Sequence, residues 1–118
     1  SSRGEVVDTA SLLAALSVGK VKDAVIDTWE YEPDISRELL EVALLGTPHI
    51  AGYSADGKAN ATRMSLEALC QFFGIQVEFS IFPPEGSNEY DPTRDSEWLK
   101  AAPKKFEWFR GNYPIRRE

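Results

Sequence analysis

The sequence is poor in the side chains that hold disulfides and structural metals. Its 118 residues include one cysteine, Cys70, and one histidine, His49. A lone cysteine excludes an internal disulfide and suits a reducing, cytoplasmic setting. One cysteine with one histidine is too small a ligand set for a structural zinc centre, so no metal site is expected. Long apolar runs are missing too. None approaches the ~20 residues of a membrane-spanning helix, so no membrane partner is expected. Positive charge is scarce: 13 Lys and Arg against 19 Asp and Glu leave a net charge of −6. That balance argues against nucleic acid as a partner, because such binders neutralise phosphates with basic side chains. Internal repeats and low-complexity tracts are likewise absent.

What is present is the balance of a globular chain, with 42% hydrophobic and 27% charged residues. Ser1-Ser2-Arg3-Gly4 reads as the interior of a longer chain, opening abruptly into structure. Asp8 is a plausible N-cap for a helix bearing Leu12, Leu13, Ala15 and Leu16, with Gly19 as its stop. Ala24-Val25-Ile26-Asp27 is a short apolar run of the kind buried on both faces of a parallel sheet. A short helix around residues 36–42 and a second strand over 46–50 follow, and this alternation predicts an α/β layer architecture. The strongest helical period lies in residues 54–73, where Ala59, Leu66, Leu69, Cys70 and Phe73 recur at three- and four-residue steps before Gly74. Val77, Phe79 and Ile81 then alternate with polar residues as in a half-buried strand. Pro83-Pro84-Glu85-Gly86 breaks the chain, and further helices are expected over 96–100 and 104–110. The terminal Arg116-Arg117-Glu118 reads as a solvated end.

Four polar residues fall at the ends of the apolar runs: Arg3, Asp27, Glu32 and His49. In an open α/β sheet, the loops at the carboxyl ends of the strands converge on the ligand crevice. A carboxylate there would fix the imidazole's tautomer, the imidazole would move a proton, and a guanidinium would grip a carboxylate or carbonyl. On spacing alone, each of the four also suits a structural or surface position. Lys58 suits either a phosphate contact or a solvated helix start.

The residues themselves carry a more specific signal. Arg3-Gly4 with Val7-Asp8, Leu12, Leu16 and Gly19, then Asp27-Thr28-Trp29-Glu30-Tyr31-Glu32-Pro33, then Thr47-Pro48-His49-Ile50, stand in one order. This order resembles the D-isomer-specific 2-hydroxyacid dehydrogenases. The resemblance implies that Arg3 binds the substrate's carboxylate and carbonyl, that His49 is the general acid/base, and that Glu32 pairs with it. It also implies that Asp27 contacts the nicotinamide end of an NAD cofactor. The continuation Ala51-Gly52-Tyr53, with Gly57-Lys58-Ala59 and Thr62, is similar to a branch of the family whose substrate is a phosphorylated 2-hydroxy acid. There Gly52 would lie against NAD and Tyr53 would touch the substrate. The closing Phe106…Arg110-Gly111-Asn112-Tyr113…Arg116-Arg117-Glu118 is similar to the same branch.

The fold class that follows is the C-terminal portion of a Rossmann-like NAD-binding domain, with a crossover helix and a short tail of the substrate domain. Residues 1–53 are expected to be the back half of the NAD-binding domain, 54–74 the crossover helix, and 75–118 a tail packed on the substrate domain. The Gly-x-Gly-x-x-Gly turn that seats a pyrophosphate on a helix N-terminus is missing from residues 1–118, so this stretch alone is expected to be inactive. The expected partner is a small phosphorylated 2-hydroxy acid, and a homodimer is compatible with the exposed apolar faces. The rival readings are another D-2-hydroxyacid dehydrogenase, such as one acting on phosphoglycerate, and a non-catalytic NAD-sensing scaffold of the same fold.

Overall fold

A computed structural model describes residues 3–118. The chain forms two compact units, residues 3–51 with Asp91–Tyr113, and Gly52–Tyr90 with Pro114–Glu118.

The first unit is built on a parallel pair of short strands, β1 (Val25–Ile26) and β2 (Leu45–Gly46), in the register Val25↔Leu45 and Ile26↔Gly46. Parallel strands need a crossover, and helix α2 (Arg37–Val42) supplies it. Ser36 caps α2, its hydroxyl accepting from the Leu39 N–H at 3.2 Å. Ahead of the strands, α1 (Thr9–Ser17) begins at Asp8, whose carboxylate accepts from the Ser11 N–H at 2.7 Å. Gly19, just past its end, takes a φ of +71°, as a helix stop requires.

Residues expected in the tail close this unit. α4 (Pro92–Ala101) and α5 (Phe106–Gly111) bring Leu99 and Phe106, both fully buried, against Trp29, Leu39, Leu40 and Ala43. The Ser96 hydroxyl accepts from the Gly46 N–H at 2.9 Å, and the Tyr113 hydroxyl donates to the buried Asp95 at 2.7 Å. The apolar surface on which Leu99 and Phe106 pack thus lies in the first unit. Of the other tail aromatics, Phe109 packs at the core's edge, whereas Trp98 and Trp108 are exposed.

Two strand expectations need correction. Val25 is 70% exposed, so β1 is not covered on both faces; only Ile26 reaches the core. The second strand ends at Gly46 rather than Ile50, because the residues after it are drawn into a turn by Asp27.

The second unit is organised around α3 (Ala55–Phe73), a 19-residue helix begun by Ser54 and ended by Gly74 at φ +64°. At about 1.5 Å per residue it is roughly 30 Å long. Met64, Leu69, Phe72 and Phe73 on it are all more than half exposed. The alternation at Val77, Phe79 and Ile81 makes no strand, as no neighbouring strand pairs with it among the described residues. The terminal residues are held in place, although Glu118 stays exposed. The Arg116 carbonyl accepts from Ala55 N at 2.7 Å, and the Arg117 N–H donates to Ser87 O at 2.8 Å. Arg117 grips Asp56 with two N–H donors at 2.8 and 2.9 Å, and Glu118 accepts from the Ser54 hydroxyl. No helix among the described residues is long and apolar enough to cross a membrane.

Candidate functional site

The site is assembled by two turns that follow β1 and β2 and by the extended segment at Arg3. Asp27, directly after β1, is its first fixed point. Its Oδ1 accepts from the Thr47 hydroxyl at 2.7 Å and the Ile50 N–H at 2.8 Å, and its Oδ2 from the Ala51 N–H at 3.1 Å. These bonds fold residues 47–51 into a turn that leaves the sheet. Within it the His49 N–H donates to Thr47 O at 3.0 Å, and His49 takes a left-handed φ of +54°. That conformation is uncommon outside glycine, with histidine among the residues enriched in it. The Trp29 indole N–H donates to Thr47 O at 2.8 Å, tying the second turn, residues 29–32, to the first.

Glu32 joins both turns. Its Oε1 accepts from the Trp29 N–H at 2.7 Å, and its Oε2 lies 2.8 Å from His49 Nδ1. Both side chains are about four-fifths buried. A carboxylate at Nδ1 holds the proton on that nitrogen, which leaves Nε2 of the neutral ring as the proton acceptor. Beside them, Tyr31 takes a φ of +63°. Its hydroxyl donates to Glu30, which raises the phenol above its usual range; Glu30 in turn is held low by the N–H of Thr9, which it accepts at 2.9 Å.

The third element is the extended Arg3. Gly4 behind it is buried, and its α-carbon lies so close to the Trp29 peptide that a Cβ would fall 1.8 Å from the carbonyl oxygen. Only glycine permits this approach, and the approach sets Arg3 beside residues 29–32. Arg3, Glu32 and His49 line one concavity of about 320 Å³, together with Trp29, Tyr31 and Arg110.

Of the residues predicted from sequence, the structure thus brings Arg3, Glu32 and His49 together. Asp27 does not line that cleft. It borders a separate concavity of about 460 Å³ along β1, beside Val25 and Leu12, and its carboxylate is largely spent on the His49 turn. Gly52 and Tyr53 open the second unit. Gly52 is exposed, and the Tyr53 ring carries the Lys58 ammonium 4.0 Å from its centroid. Lys58 is therefore engaged with an aromatic face rather than simply solvated. Sequence reasoning missed Gly4, Trp29 and Arg110 as site residues. A glycine following the arginine was the available signal for the first; the others are recruited through packing.

Comparison with known proteins bears on this geometry. Residues 1–51 match the family described as D-isomer specific 2-hydroxyacid dehydrogenase, NAD binding domain. Over its full length the chain is 58% identical to the erythronate-4-phosphate dehydrogenase of Bacteroides fragilis and 53% identical to that of Bacteroides thetaiotaomicron. Against the enzyme of the same name from Photorhabdus laumondii the identity is 41%, again over the whole chain. The chain spans 38% of the length of each of these relatives. The residues present fit one end of an NAD molecule: Asp27 accepts three of the about four hydrogen bonds a carboxylate can take, leaving Oδ2 capacity for one further N–H donor.

Proposed function

We propose that this chain, whose residues 1–51 match the family described as D-isomer specific 2-hydroxyacid dehydrogenase, NAD binding domain, supplies the acid/base half of an NAD-dependent dehydrogenase. The intact protein would oxidise the 2-hydroxyl of 4-phospho-D-erythronate in vitamin B6 biosynthesis. Full-chain identity of 58% to an enzyme named for that substrate supports the choice within the family. The observation that carries the chemistry is the Glu32–His49 contact at 2.8 Å, in one cleft with Arg3.

In this reading Arg3 holds the substrate's carboxylate with paired N–H donors and steadies charge on the oxygen that becomes a carbonyl. His49 Nε2 takes the hydroxyl proton. Glu32 stabilises the imidazolium so formed, and its second oxygen, held by the Trp29 N–H, keeps the pair aligned. Asp27, while anchoring the turn that carries His49, would hold the nicotinamide end of NAD with its remaining acceptor capacity. NAD, when bound, supplies the hydride acceptor. The free thiol of Cys70 fits a cytoplasmic enzyme.

The test is NADH formation by the full-length protein with 4-phosphoerythronate and, in parallel, 3-phosphoglycerate. A strong preference for the first is expected. Equal rates with the two would remove the narrow substrate assignment, and no turnover of either would remove the dehydrogenase reading.

A further inference from the structure

The three segments that carry Arg3, Glu32 and His49 meet at one residue, Trp29. It is 3% exposed and belongs to the core cluster with Leu39, Leu40, Leu99 and Phe106. Its carbonyl is the group that Gly4 approaches, which sets Arg3. Its backbone N–H donates to Glu32 Oε1 at 2.7 Å. Its indole N–H donates to Thr47 O at 2.8 Å, and the same carbonyl accepts the His49 N–H at 3.0 Å. The ring lies against β2, since a Cβ on Gly46 would fall 2.8 Å from its Cζ2 atom. Other bonds to the His49 turn, from Asp27 and from the Thr47 N–H to Ile26 O at 2.9 Å, hold it to β1 and the residue after it. The indole bond instead reaches across to residues 29–32, where Glu32 sits.

We propose that Trp29 is a positioning residue for the proton transfer, its indole N–H setting the turn that carries His49 against the turn that carries Glu32. The inference rests on the reading that these two form the acid/base pair. Trp29 itself moves no proton. An indole N–H is a donor only, and a ring wedged in a close-packed core presents that one donor at a fixed place. Both backbone groups of Trp29 survive a change of side chain. Removing the indole N–H therefore loosens the His49 turn and leaves Arg3 where Gly4 holds it, so the loss falls on kcat rather than on KM.

The experiment is steady-state kinetics of the full-length protein on 4-phosphoerythronate, comparing wild type with Trp29→Phe and with Leu40→Val as a control. The control thins the same core and removes no side-chain hydrogen bond. For Trp29→Phe, kcat should fall roughly 10- to 100-fold, the scale of a misplacement of about 1 Å, with KM near the wild-type value. The solvent deuterium isotope effect on kcat should rise, because proton transfer becomes the slower step. Leu40→Val should keep kcat and that isotope effect while its unfolding midpoint drops. If Trp29→Phe does not fold, benzothienylalanine at position 29 keeps the shape of the ring with sulfur in place of the N–H, and the same loss of kcat is expected of it. Wild-type kcat in the folded replacement overturns the inference, as does an equal loss in Leu40→Val, and both results leave the dehydrogenase reading intact. A wild-type protein inactive on this acid overturns that reading and this inference together.

Discussion

Replacing Gly4 by alanine tests how the cleft is held together. The added Cβ would lie 1.8 Å from the Trp29 carbonyl oxygen, 2.0 Å from its carbonyl carbon and 2.5 Å from the Glu30 nitrogen. All three are backbone atoms, so no side-chain rotation relieves the overlap. Reaching ordinary contact requires the two segments to part by about 1.5 Å. The segments in question carry Arg3 on one side and Glu32 on the other. Misplacement of reacting groups by about 1 Å can cost on the order of 100-fold in rate, and overpacking of this kind costs about 1–3 kcal/mol of stability. In the full-length protein, Gly4→Ala should therefore lower kcat/KM about 100-fold, read by NADH absorbance, and shift the denaturant midpoint downward. Gly111→Ala is the control: its Cβ would meet nothing within 4 Å, so activity should hold. Wild-type kinetics in Gly4→Ala would refute the claim that this backbone approach positions Arg3.

Two further predictions follow from the hydrogen bonds. Asp27→Asn replaces one accepting oxygen with an amide donor, so the N–H of Ile50 or of Ala51 loses its partner; a loss of about 1–3 kcal/mol is expected by chemical denaturation, with His49 displaced and turnover reduced. Unchanged stability would mean the turn does not depend on Asp27. The Asp56 carboxyl is lowered from 3.8 to about 2, first by the side-chain hydrogen bonds from Arg117 and then by the Glu118 N–H. Because the folded value is the lower one, the stabilisation is fully present above about 4 and is lost as pH falls towards 2. An Arg117→Met variant should be less stable at neutral pH and lose less than the wild type across that interval; identical melting curves from pH 6 to 2 would contradict this.

Local rules made the boundaries of the first three helices legible in the sequence, whereas α4 starts at Pro92, ahead of the expected 96–100, with Asp91 as its cap. Asp8, Ser36 and Ser54 each accept a backbone N–H three residues on, and Gly74 stops its helix in the left-handed region. The motif order likewise placed Arg3, Glu32 and His49 in one cleft. Misreadings arose where long-range contacts decide. Residues 47–50 look like a strand until Asp27, more than 20 residues earlier, claims the N–H groups of Ile50 and Ala51 and the His49 N–H turns back to Thr47 O. Residues 77–81 carry a strand's alternation but no described strand pairs with them. Arg117 and Glu118 read as a solvated end because their partners, Asp56 and Ser54, lie some 60 residues away. Arg110 escaped notice for the same reason: the burial of Phe106 brings it to the cleft, and nothing near it in sequence announces that.

The most direct test of the central claim, that His49 aligned by Glu32 moves the substrate proton, is the turnover of a His49→Asn variant of the full-length protein. Asparagine tolerates the left-handed backbone at position 49, so the turn should survive while the proton acceptor is lost. The account predicts a fall in kcat of roughly 10²- to 10⁴-fold with the unfolding midpoint little changed. A His49→Asn enzyme turning over at the wild-type rate would contradict it.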